Sequence, residues 1–117
     1  MTKFDFKDGN GPVPAHQHSN GGGWVADTAT VDDYVYVGPN ARVSGNARVF
    51  GRAMVYGNAR VSGDAAIFGN ARVYGNARVY GNAMISGNAM ISGNAWVSGN
   101  AWVFGNAWVF GDVLLDK

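Results

Sequence analysis

Val43-Ser44-Gly45-Asn46-Ala47-Arg48 runs straight into Val49-Phe50-Gly51-Arg52-Ala53-Met54, and units of the same six-residue form continue toward the C-terminus. Valine or isoleucine stands at every sixth position from Val25 to Val109, with Leu115 continuing the series, and glycine recurs with the same period from Gly45 to Gly111. A fixed short period decides the architecture before any single residue does. Ala47 and Val49 are two apart, so on a strand they share a face, while Arg48 and Phe50 take the other. The unit predicts a strand of about four residues. A Gly-Asn corner closes it, because glycine adopts positive φ without penalty and asparagine tolerates it better than most residues. A helix is excluded, since a glycine in every unit would cost about 1 kcal/mol each time.

Three such sides make a coil of 18 residues, and residues one coil apart stack at about 4.8 Å, the spacing of neighbouring strands. The inward ladders are then Val43, Val61, Val79, Val97; Val49, Ile67, Ile85, Val103; and Val55, Val73, Ile91, Val109. An alanine series from Ala41 to Ala107 lies beside them, where the corner has room for little more than a methyl group. Asparagines stack along the corners as Asn40, Asn58, Asn76, Asn94; Asn46, Asn82, Asn100; and Asn70, Asn88, Asn106, amide ladders that stabilise stacked strands. Arg52 and Asp64 interrupt them. The first units depart from the pattern at Asp32-Asp33 and Gly38-Pro39, as terminal repeats of a solenoid do.

These units resemble the hexapeptide repeat of left-handed parallel β-helix proteins, the acyltransferase-type solenoid of triangular cross-section, over about residues 25–115. The resemblance implies an all-β, left-handed parallel β-helix of about five coils of three hexapeptides. It also implies side-by-side homotrimers. The near-perfect repetition is similar to that of small hexapeptide-repeat proteins of bacteria and their phages. Hexapeptide acyltransferases use a histidine general base near the subunit interface, with an extruded loop and often a C-terminal helix. Residues 40–111 contain no histidine and no insertion, and related carbonic-anhydrase-type solenoids place three metal histidines on their coils. Ser44, Ser62, Ser86, Ser92 and Ser98 have no base beside them in sequence, so nucleophilic catalysis lacks its activator. No cofactor is expected.

The chain of 117 residues makes one domain. It has no cysteine, so disulfides and thiolate chemistry are excluded, and its net charge of +1 argues against a strong nucleic-acid or membrane field. No apolar run is long enough to span a bilayer and none resembles a signal peptide, so a cytoplasmic location is expected.

Residues 1–23 differ from the repeat domain, 24–117, and read as a capping arm. Phe4 and Phe6 alternate with polar residues and are expected to cover the open first coil, which otherwise exposes its core and strand edges. His16 and His18 are two apart and so share a side of an extended segment. That suits a metal weakly, with Asp5, Asp8 or Asp27 as the third ligand. The simpler reading is two imidazoles of the cap.

Outward residues decide function. The first side carries Arg42, Arg60, Arg78 and Trp96, and three guanidinium groups one strand apart repel each other unless an anion lies along them. The second side carries Phe50, Phe68, Met84, Trp102 and Phe104 with Arg48 alone charged, an apolar surface that monomers seldom expose. The third ends in Trp108 and Phe110. Lateral association into a trimer through the second side, or end-to-end docking through the aromatic far end, is therefore expected. The reading is a non-catalytic, self-associating structural or binding module. The alternatives are a binder of an anionic ligand or partner through Arg42, Arg60 and Arg78 at a subunit groove, and an acyltransferase relative.

Overall fold

A computed structural model describes residues 2–116, which form eighteen strands and no helix. β1 (Lys3–Asp5) and β2 (Pro12–Gln17) make an antiparallel hairpin, and β2 pairs antiparallel with β3 (Trp24–Ala26). From β3 onward the strands are parallel and wind through three sheets. The first sheet continues from β3 through β6 (Arg42–Val43), β9 (Arg60–Val61), β12 (Arg78–Val79) and β15 (Trp96–Val97) to β18 (Leu114–Leu115). The second holds β4 (Thr30–Val31), β7 (Arg48–Val49), β10 (Ala66–Ile67), β13 (Met84–Ile85) and β16 (Trp102–Val103). The third holds β5 (Tyr36–Val37), β8 (Met54–Val55), β11 (Arg72–Val73), β14 (Met90–Ile91) and β17 (Trp108–Val109). The result is a β-solenoid of about five turns in which each residue sits over its counterpart one coil away: Arg42 on Arg60, Ala66 on Met84, Val73 on Ile91.

From β4 onward the strands are two residues long rather than the four expected. Glycine at positive φ (62° at Gly45) breaks the extended backbone on one side, and Ala47 N–H turns back to Ser44 O (3.3 Å) on the other. Inter-coil pairing nevertheless runs through the corner. Ser44 N–H donates to Val61 O (2.8 Å), Asn46 N–H to Gly63 O (2.9 Å) and Arg48 N–H to Ala65 O (2.9 Å). The corner thus joins the hydrogen-bonded ladder, and buried backbone groups find partners where the strand assignment stops.

The interior is as the period predicts. Valines and isoleucines from Val37 to Val97 and alanines from Ala41 to Ala95 are wholly removed from solvent along the inward ladders. Toward the C-terminal end Val109 and Leu115 are only partly buried and Ala107 is exposed. The asparagine ladders form in two corners: Asn58 donates to Asn76 (3.3 Å), Asn76 to Asn94 (3.2 Å), and Asn70 to Asn88 and Asn88 to Asn106 (3.3 Å each). Asp64 joins a ladder as the acceptor for the Asn46 amide at 3.5 Å. A carboxylate has no proton to pass upward, so that ladder stops there; Asp112 ends the Asn94 ladder in the same way at 3.1 Å.

In the first coil, Asp27, Asp33 and Pro39 stand at the glycine positions, and none has positive φ. Side chains replace the lost corner geometry: Thr28 Oγ1 donates to Gly45 O, and Asp32 accepts the Gly51 N–H at 3.2 Å.

The apolar residues of the arm pack apart from the main core. Phe4 and Phe6 do not lie over the end of the main core. With Ala15 and Ala26 they form a separate apolar cluster, in which Phe4 stacks on Trp24 (4.7 Å between centroids, 15° between planes). The backbone of the arm does meet the first coil. Residues 15–17 run along β3, and Asn20 O and Gly23 N bond Val37 at 3.0 and 2.9 Å. His18 follows this path inward. Its ring is buried, and Nε2, facing a carbonyl that can only accept, donates to Val35 O at 2.8 Å. Replacing His18 with Phe removes the donor and strands a buried carbonyl, so urea denaturation will show a loss of about 1–3 kcal/mol. His16→Ala, at a half-exposed pair, will stay within about 0.5 kcal/mol of the parent.

Candidate functional site

The first sheet presents a row of three arginines. Arg42, Arg60 and Arg78 occupy successive strands at the same position, so stacking alone fixes their alignment. Trp24 precedes them in this row and Trp96 follows. Both ends of the row are held by aromatic rings: the Arg42 guanidinium lies 5.0 Å from the Phe4 centroid and that of Arg78 lies 5.0 Å from Trp96. Such cation–π contacts orient a guanidinium without neutralising it.

Among the described residues no ring lies beneath Arg60, between them. Burial, and then the positive charges of Arg42 and Arg78, hold its pKa below the ordinary arginine range. Among the described residues no carboxylate comes within 4.0 Å of any of the three guanidinium groups; the ion pair formed is His16 with Asp27, at 2.7 Å. A groove of about 340 Å³ runs along the row. The hairpin tip supplies Phe6, Lys7 and Asp8 to one wall, Ser44 and Ser62 lie along the floor, and Tyr80 and Trp96 close the far end. Four cations and one carboxylate thus line a cleft of small-molecule size.

His16 and His18, two apart in sequence, part company. His16 Nδ1 meets Asp27 near the surface while His18 points inward, and among the described residues no three potential ligands converge to hold a metal. Ser44, Ser86, Ser92 and Ser98 hold the place of Phe50 in their units, outward by strand alternation, yet they are buried, and Ser92 Oγ accepts the Trp108 indole N–H at 3.2 Å.

The apolar surface gathers at one end. Phe50 and Phe68 on the second side are half-buried and Ala66 is buried. Trp102, Phe104, Trp108, Phe110 and Leu114 are each more than half exposed, with Trp96 and Val113 beside them at 41% and 44%. Trp102 and Phe104 pair at 5.2 Å and Trp108 and Phe110 at 4.9 Å, forming aromatic ridges on two adjoining sides. The aromatic members of this group are legible in the sequence. Lys7, which joins the arginines in the groove, is not, because nothing local says where the hairpin tip comes to rest.

A repeat model described as the YdcK beta solenoid repeat matches residues 41–55, 53–67, 65–81, 71–86, 77–90 and 83–99, which overlap to cover 41–99, half of the chain. No curated protein and no solved structure matches it significantly.

Proposed function

Since the chain belongs to the YdcK β-solenoid repeat family, we propose that it serves as a structural module, a rigid prism that joins a second copy of itself through the coil spanning residues 96–114. The observation that carries this reading is the ring of exposed aromatic and aliphatic side chains at Trp96, Trp102, Phe104, Trp108, Phe110 and Leu114. Monomers seldom expose so much contiguous apolar surface, and aromatic side chains are enriched in interfaces. The ring occupies all three sides of one coil, so a partner that covers it meets the end of the prism. A side-by-side trimer through the second side draws less support, because Phe50 and Phe68 are already half-covered by their neighbours. The winding is read as left-handed, in keeping with the resemblance to hexapeptide-repeat proteins. An acyltransferase role draws no support from the coils, where four of the five serines are buried and residues 40–111 include no histidine.

Light scattering on a sizing column tests the module. The expected mass is that of two chains, rising from one as concentration increases, and Trp102→Glu with Phe104→Glu returns it to one chain with the fold intact by circular dichroism. A single-chain mass at every concentration overturns the reading.

A second reading concerns the arginine row. Three aligned guanidinium groups, without a carboxylate partner among the described residues, favour an anionic ligand along the first side.

A further inference from the structure

We propose that the groove beside Arg42, Arg60 and Arg78 binds a short oligophosphate, a ligand with two or three phosphoryl groups in line, gripped from the opposite wall by Lys7. The proposal rests on the anionic reading of the arginine row and adds the class of ligand.

Three features carry it. The first is spacing. Neighbouring strands are about 4.8 Å apart, so three rungs present positive charge over about 10 Å, whereas one compact anion engages a single rung or two. Each guanidinium offers a planar fork that matches phosphate oxygens in pairs.

The second is the closed length of the site. The stacked row runs Trp24, Arg42, Arg60, Arg78, Trp96, so the cationic stretch ends in an indole at both ends. A polymer lying along this side would leave the arginines and run over rings and Leu114 within one strand. The groove of about 340 Å³ matches a small molecule.

The third is construction. Arg42 and Arg78 are steadied on Phe4 and Trp96, so little side-chain freedom is left to lose on binding. Lys7 is brought to the groove by the turn between β1 and β2. It is the one described residue other than glycine with positive φ (62°), and Asp5 Oδ1 accepts its N–H at 2.8 Å. Asp8 shares that wall with Lys7, so the arginine row supplies most of the attraction for phosphoryl groups and Lys7 a smaller share.

The test is calorimetric titration of the intact chain with sodium tripolyphosphate and with orthophosphate at one ionic strength. Arg60→Met and Lys7→Ala are titrated in parallel, and unliganded thermal midpoints are recorded for all. The expected result is tripolyphosphate bound about tenfold or more tightly than orthophosphate, a loss of about tenfold or more with Arg60→Met, and a several-fold loss with Lys7→Ala. The unliganded midpoint of Arg60→Met is expected to be no lower than the parent's, because a like-charge repulsion has gone. If Arg60→Met does not fold, the exposed Lys7→Ala decides. Equal affinity for the two phosphates overturns the oligophosphate class and leaves an anion site. Failure of every anion to bind overturns the anionic reading as well. Tighter capture of a 20-residue oligothymidylate assigns the row to a polymer and overturns the proposal, as does binding that neither substitution weakens.

Discussion

Gly87→Ala will lower the thermal midpoint by about 10–15 °C, while Gly105→Ala, with the same chemistry and nearly the same backbone, will lower it by about 4 °C. The two glycines have φ of +65° and +67°, so the cost of a left-handed alanine, about 1 kcal/mol, is common to both. They differ in what lies above. A Cβ at Gly87 would sit 2.9 Å from Gly105 N and 3.0 Å from its carbonyl oxygen, whereas a Cβ at Gly105 meets nothing within 4 Å. The obstacle at Gly87 is backbone in the next coil and cannot rotate aside. Relief requires the two coils to part at a corner where Asn88 N–H donates to Gly105 O at 2.8 Å, so the added loss is roughly 2 kcal/mol. Calorimetric melting of the pair separates the two contributions. Equal shifts would mean that glycine is required at these corners for its dihedral angle alone.

Ile67→Ala will cost about 3 kcal/mol by urea denaturation, within the range for emptying a sealed apolar site. Ile67 is wholly buried between Val49 and Ile85, and neither valine nor alanine neighbours have length to spare to fill the space. The damage should be local. In a stack whose coils touch only the coils above and below, amide exchange will quicken most around Phe50, Phe68 and Ser86 and least in the hairpin, whose apolar cluster is separate. Acceleration of equal size at Phe4 and at Phe68 would show instead that hairpin and coils open as one unit.

The repeat was legible because its grammar is local. A residue's side of the sheet depends on parity within its unit, and its neighbour one coil away follows from the period, so counting by eighteen is enough to align Arg42, Arg60 and Arg78. What escaped depended on distant surfaces. Phe4 and Phe6 announce an amphipathic segment, but only the Trp24 ring beside Arg42 decides that Phe4 stacks there and not on the main core. The histidines show the limit of parity itself. β2 ends at Gln17, and His18 O accepts the Gly22 N–H at 3.0 Å in a turn that sends its ring inward, away from His16. The buried serines have a similar cause: the residue before each glycine already bends with the corner, so an outward assignment from strand alternation overstates its exposure.

Each backbone hydrogen bond between coils from Arg42 onward joins a residue to one 17 positions later, whichever coil it belongs to. No rung depends on how many others precede it, so the stack has no intrinsic measure of its own length. Loss of residues 69–86 by in-frame deletion would shorten the prism by one layer, about 4.8 Å, and leave both ends as they are. Loss of six residues, 63–68, would be equally tolerable to the interior, because every valine still points inward. It would, however, turn all later layers by one side, setting Met84 over Arg60 and Arg78 over Met54. Units of eighteen thus alter the span of the molecule and units of six reassort its surface, so heredity can edit reach and surface chemistry separately on the same frame.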